Sequence, residues 1–139
     1  MWTAEYTLIT DASREAIWKT WADVENWPAW DKGVEWCRMS GEFKTGTTYT
    51  LKPFGAGEVQ AVITDCQPLE RFADVSRLPL AQLEFVHELN ERPDGLHVTH
   101  RINITGFLSF FFAQVIGKST QKEFPNTLAH LVQVAKGAA

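Results

Sequence analysis

Along most of this chain apolar and polar residues alternate with a period of two, and only near the two ends does the period lengthen. Residues 2–10, WTAEYTLIT, set Tyr6, Leu8 and Ile9 among threonines, a strand composition. DASREAIWKTWADV then turns helical: Asp11 or Ser13 can accept the first free amide hydrogens, and Ile17 and Trp21 stack at i, i+4. ENWPAWDKG is short and holds Pro28, whose missing N–H suits the first turn of a second small helix.

From about Val34 the pattern is strand. VEWCRMS, TTYTLKPF, GEVQAVITDC, ERFADVSRL, AQLEFVHELN and LHVTHRINIT are parted by the turn signals SGEFKTG, FGAG, QPLE, RLPL and RPDG. Links this short favour an antiparallel meander, because parallel pairing needs long crossovers. From Leu108 to Ala135 the spacing is helical again, through Leu108, Phe111, Phe112 and Val115 and then Phe124, Leu128, Leu131 and Ala135. Pro125 should kink or split that helix.

The expected fold is therefore α+β. A curved antiparallel sheet of six to seven strands wraps around a long C-terminal helix, with two short helices after the first strand. A sheet with one apolar face needs a cover, and only the last helix is long enough to supply it. No repeat or linker-like tract divides the chain, so residues 1–139 are expected to form one domain, a monomer or weak homodimer.

The strand pattern is interrupted in one informative place. Leu83, Phe85 and Leu89 share a parity with His87, while Leu96, Val98, Ile102 and Ile104 share one with His100. If RPDG closes a tight turn with Arg92 facing Gly95, His87 lies opposite His100, Phe85 opposite Ile102, and Leu89 opposite Val98. A slip of one residue would turn one apolar face outward and is disfavoured, whereas a slip of two keeps both histidines on one face as diagonal neighbours. Two titratable rings then meet on a buried face.

Composition narrows the function classes. The net charge of −4 and the absence of any Lys/Arg cluster argue against a nucleic-acid surface. The most apolar run, GFLSFFFAQVIG, is far shorter than the ~20 residues that span a bilayer, so no stable membrane insertion is expected. MWTAEYTLIT lacks the basic start of a secretion signal, which points to a cytoplasmic location. Cys37 and Cys66 have neither CxxC nor zinc-like spacing and read as free thiols. Six tryptophans and nine phenylalanines exceed what a core of this size needs, and such rings also line pockets for apolar ligands.

The order of elements, with ASREAIWKTWADVENWPAWDKGVEW near the start, resembles the START-like, or SRPBCC, helix-grip superfamily. Within it, the chain looks like the polyketide cyclase/dehydrase and lipid-transport branch. The pieces carrying the resemblance are the helix entry Ala12 to Trp18, Asp23-Val24 followed by Trp27-Pro28 and Trp30, GEFKTGT at 41–47, and Gly106 before the last helix. The resemblance implies a deep, largely apolar cavity between sheet and C-terminal helix. It also implies a small hydrophobic partner, whether lipid, aromatic or polyketide-like. Some members cyclise or dehydrate the bound molecule and others only carry or sense it, so the fold leaves the chemistry open.

Three roles compete for His87 and His100. They can be neutral core histidines, bonded to each other or to a hydroxyl such as Ser119. They can anchor the polar end of an apolar ligand. Or one can be the catalytic acid/base of a cyclase or dehydratase. Burial and a neighbouring ring both lower an imidazole pKa, so at least one should be neutral at pH 7. A metal would need a third ligand, and neither Cys66, Asp65 nor His130 has a spacing that supplies one, so neither metal nor cofactor is expected.

The rest of the expected ligand site comes from cavity walls. Trp27 and Trp30 belong to the second helix, and Trp36 joins them if it points inward. Phe85, Val98 and Ile102 flank the histidines, while Phe111, Phe112, Val115 and Ser119 face the sheet from the long helix. Phe54, Leu78, Leu80 and Phe107 lie at or near turns. They can form a gate, ordinary loop anchors, or the interface of a protein-binding, co-chaperone-like module.

Overall fold

Each turn signal in the sequence separates two strands in the computed structural model, which describes residues 1–137. The strands are β1 (Trp2–Thr10), β2 (Val34–Met39), β3 (Thr48–Pro53), β4 (Val59–Gln67), β5 (Arg71–Leu78), β6 (Ala81–Arg92) and β7 (Gly95–Thr105). They form one curved antiparallel sheet in the order β1-β7-β6-β5-β4-β3-β2. Two bulges, between Val34 and Trp36 and between Ile63 and Asp65, add a residue on one side of a strand pair and bend the sheet.

Helix α1 (Arg14–Ala22) starts at Ser13, whose hydroxyl accepts the Ala16 N–H at 3.1 Å. Asp11, the other candidate cap, meets Lys136 instead. The second short helix is a 3-10 helix, Val24–Ala29. It follows α1 with only Asp23 between them, so Pro28 lies near its end rather than in its first turn.

The C-terminal helix breaks at a place the sequence pattern did not mark. A four-residue turn, α2 (Ser109–Phe112), runs through a π-helical turn at Ala113–Gly117 into α3 (Lys118–Gly137). Helix α3 continues through Pro125, so the expected split there does not occur. The wide turn coincides with a close approach, because a Cβ at Gly117 would lie 2.5 Å from the Trp2 ring. Only glycine lets the helix pass so near β1.

The core has two clusters. One joins Ile17 and Trp21 of α1 to Phe72, Val98, Leu128 and Leu131; the other joins Ala4, Leu83, Ile102 and Ile104 to Ala113 and Phe124. The C-terminal helix therefore touches the sheet at both ends of its run. Among the described residues no helix is long and apolar enough to cross a membrane.

Candidate functional site

Between the two core clusters the sheet and helix part around a cavity of about 670 Å³. Trp27, Trp30 and Tyr49 come to its wall from the first cluster, and Leu83 and Phe124 from the second. The remaining wall is Leu51 and Phe54 of the β3 side, Leu78 and Phe85 of β5 and β6, and Val115 and Ile116 of the π turn. This volume suits a drug-sized or smaller molecule.

His87 and His100 sit at the cavity floor, directly opposite each other as the hairpin register requires. Their rings touch edge to face, with centroids 4.6 Å apart. Neither bonds the other, and Ser119 bonds the Ile116 carbonyl rather than a ring. The His87 Nδ1–H donates to the Phe72 carbonyl at 3.3 Å, and its ring stacks on Phe72 at 3.9 Å. His100 Nε2 accepts the indole N–H of Trp21 at 3.2 Å.

These bonds fix the tautomers. Burial pushes His87 down to about 3, against the opposing pull of the Phe72 carbonyl. Burial, and then the neighbouring His87, holds His100 well below its ordinary value. Both rings are neutral at pH 7. His87 carries its proton on Nδ1 and has a free acceptor at Nε2, while His100 accepts at Nε2 and has a free donor at Nδ1.

A second polar pair lies beside them. Asp74, 3% exposed, accepts a hydrogen bond from the buried hydroxyl of Tyr49. Both line the cavity, with Ser76 next to them. Burial raises Asp74 to about 7, the Tyr49 bond works against that rise, and Glu84 adds to it. Burial and then the Asp74 charge hold the Tyr49 hydroxyl well above its usual range. Asp74 and Ser76 do not stand out in the sequence because Ala73 and Val75 make the opposite parity of β5 look equally apolar, and Tyr49 joins them only across β4. The signal that exposed the histidines, a polar residue in phase with Phe72 and Leu78, was present there too.

The structure sorts the expected wall residues. Trp27, Trp30, Phe85, Val115 and Ser119 line the cavity with the histidines. Trp36 does not: the bulge after Val34 shifts the inward phase to Cys37, so Trp36 turns to the outer face under the Arg38 guanidinium, 4.1 Å from its ring centroid. Val98 and Ile102 are fully buried in the two core clusters, beyond the cavity. Phe111 is exposed and Phe112 packs on the second cluster, because the π turn puts an extra residue into the helix and presents Ile116, Ser119 and Glu123 instead.

Of the turn residues, Phe54 and Leu78 reach the cavity, whereas Leu80 and Phe107 are exposed beyond it. The Leu80 carbonyl accepts the Leu108 N–H at 3.0 Å, tying the β5–β6 turn to the start of α2. Gly106, at φ 106°, permits this, since a Cβ there would lie 2.8 Å from the Leu80 oxygen. Among the described residues no three His, Cys, Asp or Glu side chains gather as metal ligands. Asp65 pairs with Arg71, and Cys66 donates weakly to the Phe43 carbonyl.

Comparison with solved structures decides the architecture. Hypothetical protein jhp0584 from Helicobacter pylori superposes with a TM-score of 0.81 over 96% of this chain and 87% of its own, at 13% identity. The di-domain ARO/CYC StfQ from the steffimycin biosynthetic pathway matches at TM-score 0.76 and 12% identity, over 98% of this chain and 51% of StfQ. Ara h 8.0201 matches at 0.69 and 12%, over 95% of this chain and 98% of its own. This is a helix-grip fold. The resemblance to the SRPBCC superfamily thus holds at the level of fold. No protein-family model matches the sequence, and no curated protein matches it either. What the helix-grip frame adds is the position of the cavity, between the curved sheet and the C-terminal helix, with the polar floor on β3, β5, β6 and β7.

Proposed function

We propose that this chain binds a small, largely hydrophobic molecule in the cavity, with the molecule's polar end at the floor formed by His87, His100, Tyr49 and Asp74. The observation that carries this reading is the cavity itself: about 670 Å³, walled by aromatic and aliphatic side chains, with a polar floor drawn from β3, β5, β6 and β7. Apolar contact supplies affinity and a few placed polar groups supply orientation. Native mass spectrometry of the protein as purified tests it, with a co-purifying small molecule as the expected result. Ser76→Phe, which grows a ring into the cavity from β5, should abolish that adduct. An adduct carried equally by wild type and Ser76→Phe would place the binding elsewhere.

A second reading, supported by Asp74, adds chemistry to binding. A carboxyl that titrates near neutrality beside the neutral rings of His87 and His100 is suited to move protons during cyclisation or dehydration of a bound molecule. Turnover of a verified ligand should then titrate near pH 7 and disappear in Asp74→Asn. Turnover that survives Asp74→Asn, His87→Gln and His100→Gln alike would remove the enzyme reading and leave binding intact.

A further inference from the structure

The floor of the cavity has an unbalanced charge. Asp74 is almost wholly enclosed, yet no lysine, arginine or histidine cation pairs with it among the described residues. Its one partner is the Tyr49 hydroxyl, bound at Oδ2, which leaves Oδ1 without a protein donor. Two further carboxylates, Asp31 and Glu123, line the same cavity, and Glu123 raises the Asp31 pKa after burial has done so. The only lysine on the wall, Lys32, is exposed and donates to the Ala29 carbonyl at 2.9 Å.

Free acceptors lie beside that carboxylate. His87 Nε2 is an acceptor without a partner, as is Asp74 Oδ1, and the phenol oxygen of Tyr49 has a lone pair to spare. The donors are His100 Nδ1–H, the Ser76 hydroxyl and the buried indole N–H of Trp30, which has no partner among the described residues. Around them are ring faces: Trp27 and Tyr49 meet at 5.1 Å, Trp27 and Trp30 at 5.8 Å, and Phe85 lies directly across from Asp74. A buried carboxylate without a counter-ion, neighbouring acceptors and aromatic faces together form a receptor for a cation on an apolar body.

We infer that the ligand class of this cavity is a hydrophobic amine, its ammonium group meeting Asp74 and His87 Nε2 and its apolar body lying against Trp27, Trp30 and Phe85. This rests on the ligand-binding reading above and narrows it. The ammonium donates to the Asp74 carboxylate and to the imidazole nitrogen, so the two acceptors and the uncompensated charge are satisfied at once. Binding requires Asp74 ionised, and near pH 7 the free protein holds a proton there part of the time. Uptake of the amine therefore releases a proton. The other titratable groups facing Asp74 are Tyr49 and Cys37 from β3 and β2, both held protonated, the neutral His87 from β6, and Glu84 on the same strand. Tyr49 and Cys37 are held protonated and His87 neutral, so none of these three supplies that proton near pH 7.

Isothermal titration calorimetry with naphthylmethylamine and its neutral analogue naphthylmethanol tests this on the intact protein. The amine should bind at least about tenfold tighter than the alcohol, as expected for a desolvated charge-assisted pair. In buffers of different ionisation enthalpy the amine alone should release a proton fraction that vanishes above about pH 8. In Asp74→Asn the amine-to-alcohol ratio should fall to about one. An alcohol that binds as well as the amine overturns the inference while leaving the apolar cavity in place. So does an amine preference that persists in Asp74→Asn. If neither probe binds, both this inference and the ligand-binding reading fail together. Should Asp74→Asn not fold, the amine-to-alcohol ratio of the wild type decides the question.

Discussion

The Tyr49 hydroxyl reaches across β4 to bond Asp74 on β5, passing over the small side chain of Ala61, which pairs with Tyr49 on one side and Ser76 on the other. The bond favours the ionised carboxyl and partly offsets the effect of burial. Tyr49→Phe should raise the Asp74 pKa above about 7, read from the carboxyl carbon shift in an NMR titration. An unchanged titration would mean that the hydroxyl does not act on Asp74. Ala61→Leu should have the same effect by steric blockade.

Asp74 also sets a pH dependence of stability. Its folded pKa lies above the ordinary carboxyl value, so the native state holds a proton that the unfolded chain has released. Stability from this group is full below about pH 4 and is lost as pH rises through about 7. Asp74→Asn should remove that loss, stabilising the protein at pH 8 relative to pH 5 on the order of 3 kcal/mol compared with wild type. Urea melts at the two pH values measure it.

The histidines act with the opposite sign. Their folded pKa values lie below the ordinary imidazole value, so their contribution is complete above about pH 6.5 and drains away as pH falls, for His87 toward about 3. Two such groups outweigh the single carboxyl between about pH 4 and 6.5, and net stability falls on acidification. His87→Phe should flatten this acid limb by about 1.4 kcal/mol per pH unit in urea melts taken across that window.

His100→Phe carries an added cost, because the buried Trp21 indole N–H loses its acceptor. The expected destabilisation at pH 7 is about 1–3 kcal/mol, and His100→Gln, which keeps an acceptor, should recover part of it. Equal melting of the two variants would show that the Trp21 bond contributes nothing.

At the π turn, Gly117→Ala should destabilise by about 1–3 kcal/mol, since the new methyl meets the Trp2 ring. Trp2→Ala, which removes that ring, should make Gly117→Ala nearly neutral. A thermal double-mutant cycle reads the coupling.

Much of this fold is written in alternation. The pairing of His87 with His100 follows from Arg92-Pro93-Asp94-Gly95 and the two apolar parities, because a one-residue slip would expose a whole face. Local insertions are what alternation hides. One bulged residue beside Val34 reverses Trp36, and one wide turn at Ala113–Gly117 carries Phe111 and Phe112 off the cavity wall. The wide turn coincides with the close approach of Gly117 to Trp2, a tertiary contact that alternation does not encode. The Tyr49–Asp74 pair is not legible, since it joins strands that are not neighbours.

Strand order has a kinetic consequence. Strands β2 to β7 are joined by short turns and can zip up hairpin by hairpin, whereas β1 must find β7 across almost the whole chain, Trp2 beside Ile104. Until that late docking, β7 is an edge strand and His100 has a neighbour on one side only. The helix bearing Trp21 follows β1 directly, so the indole that fixes the His100 tautomer arrives with the same event. Topology thus predicts that the β2–β7 meander forms first and that His100 gains its Trp21 donor only when β1 and α1 dock, a sequence that folding-phase φ-values at Trp21 and at Ala61 would test.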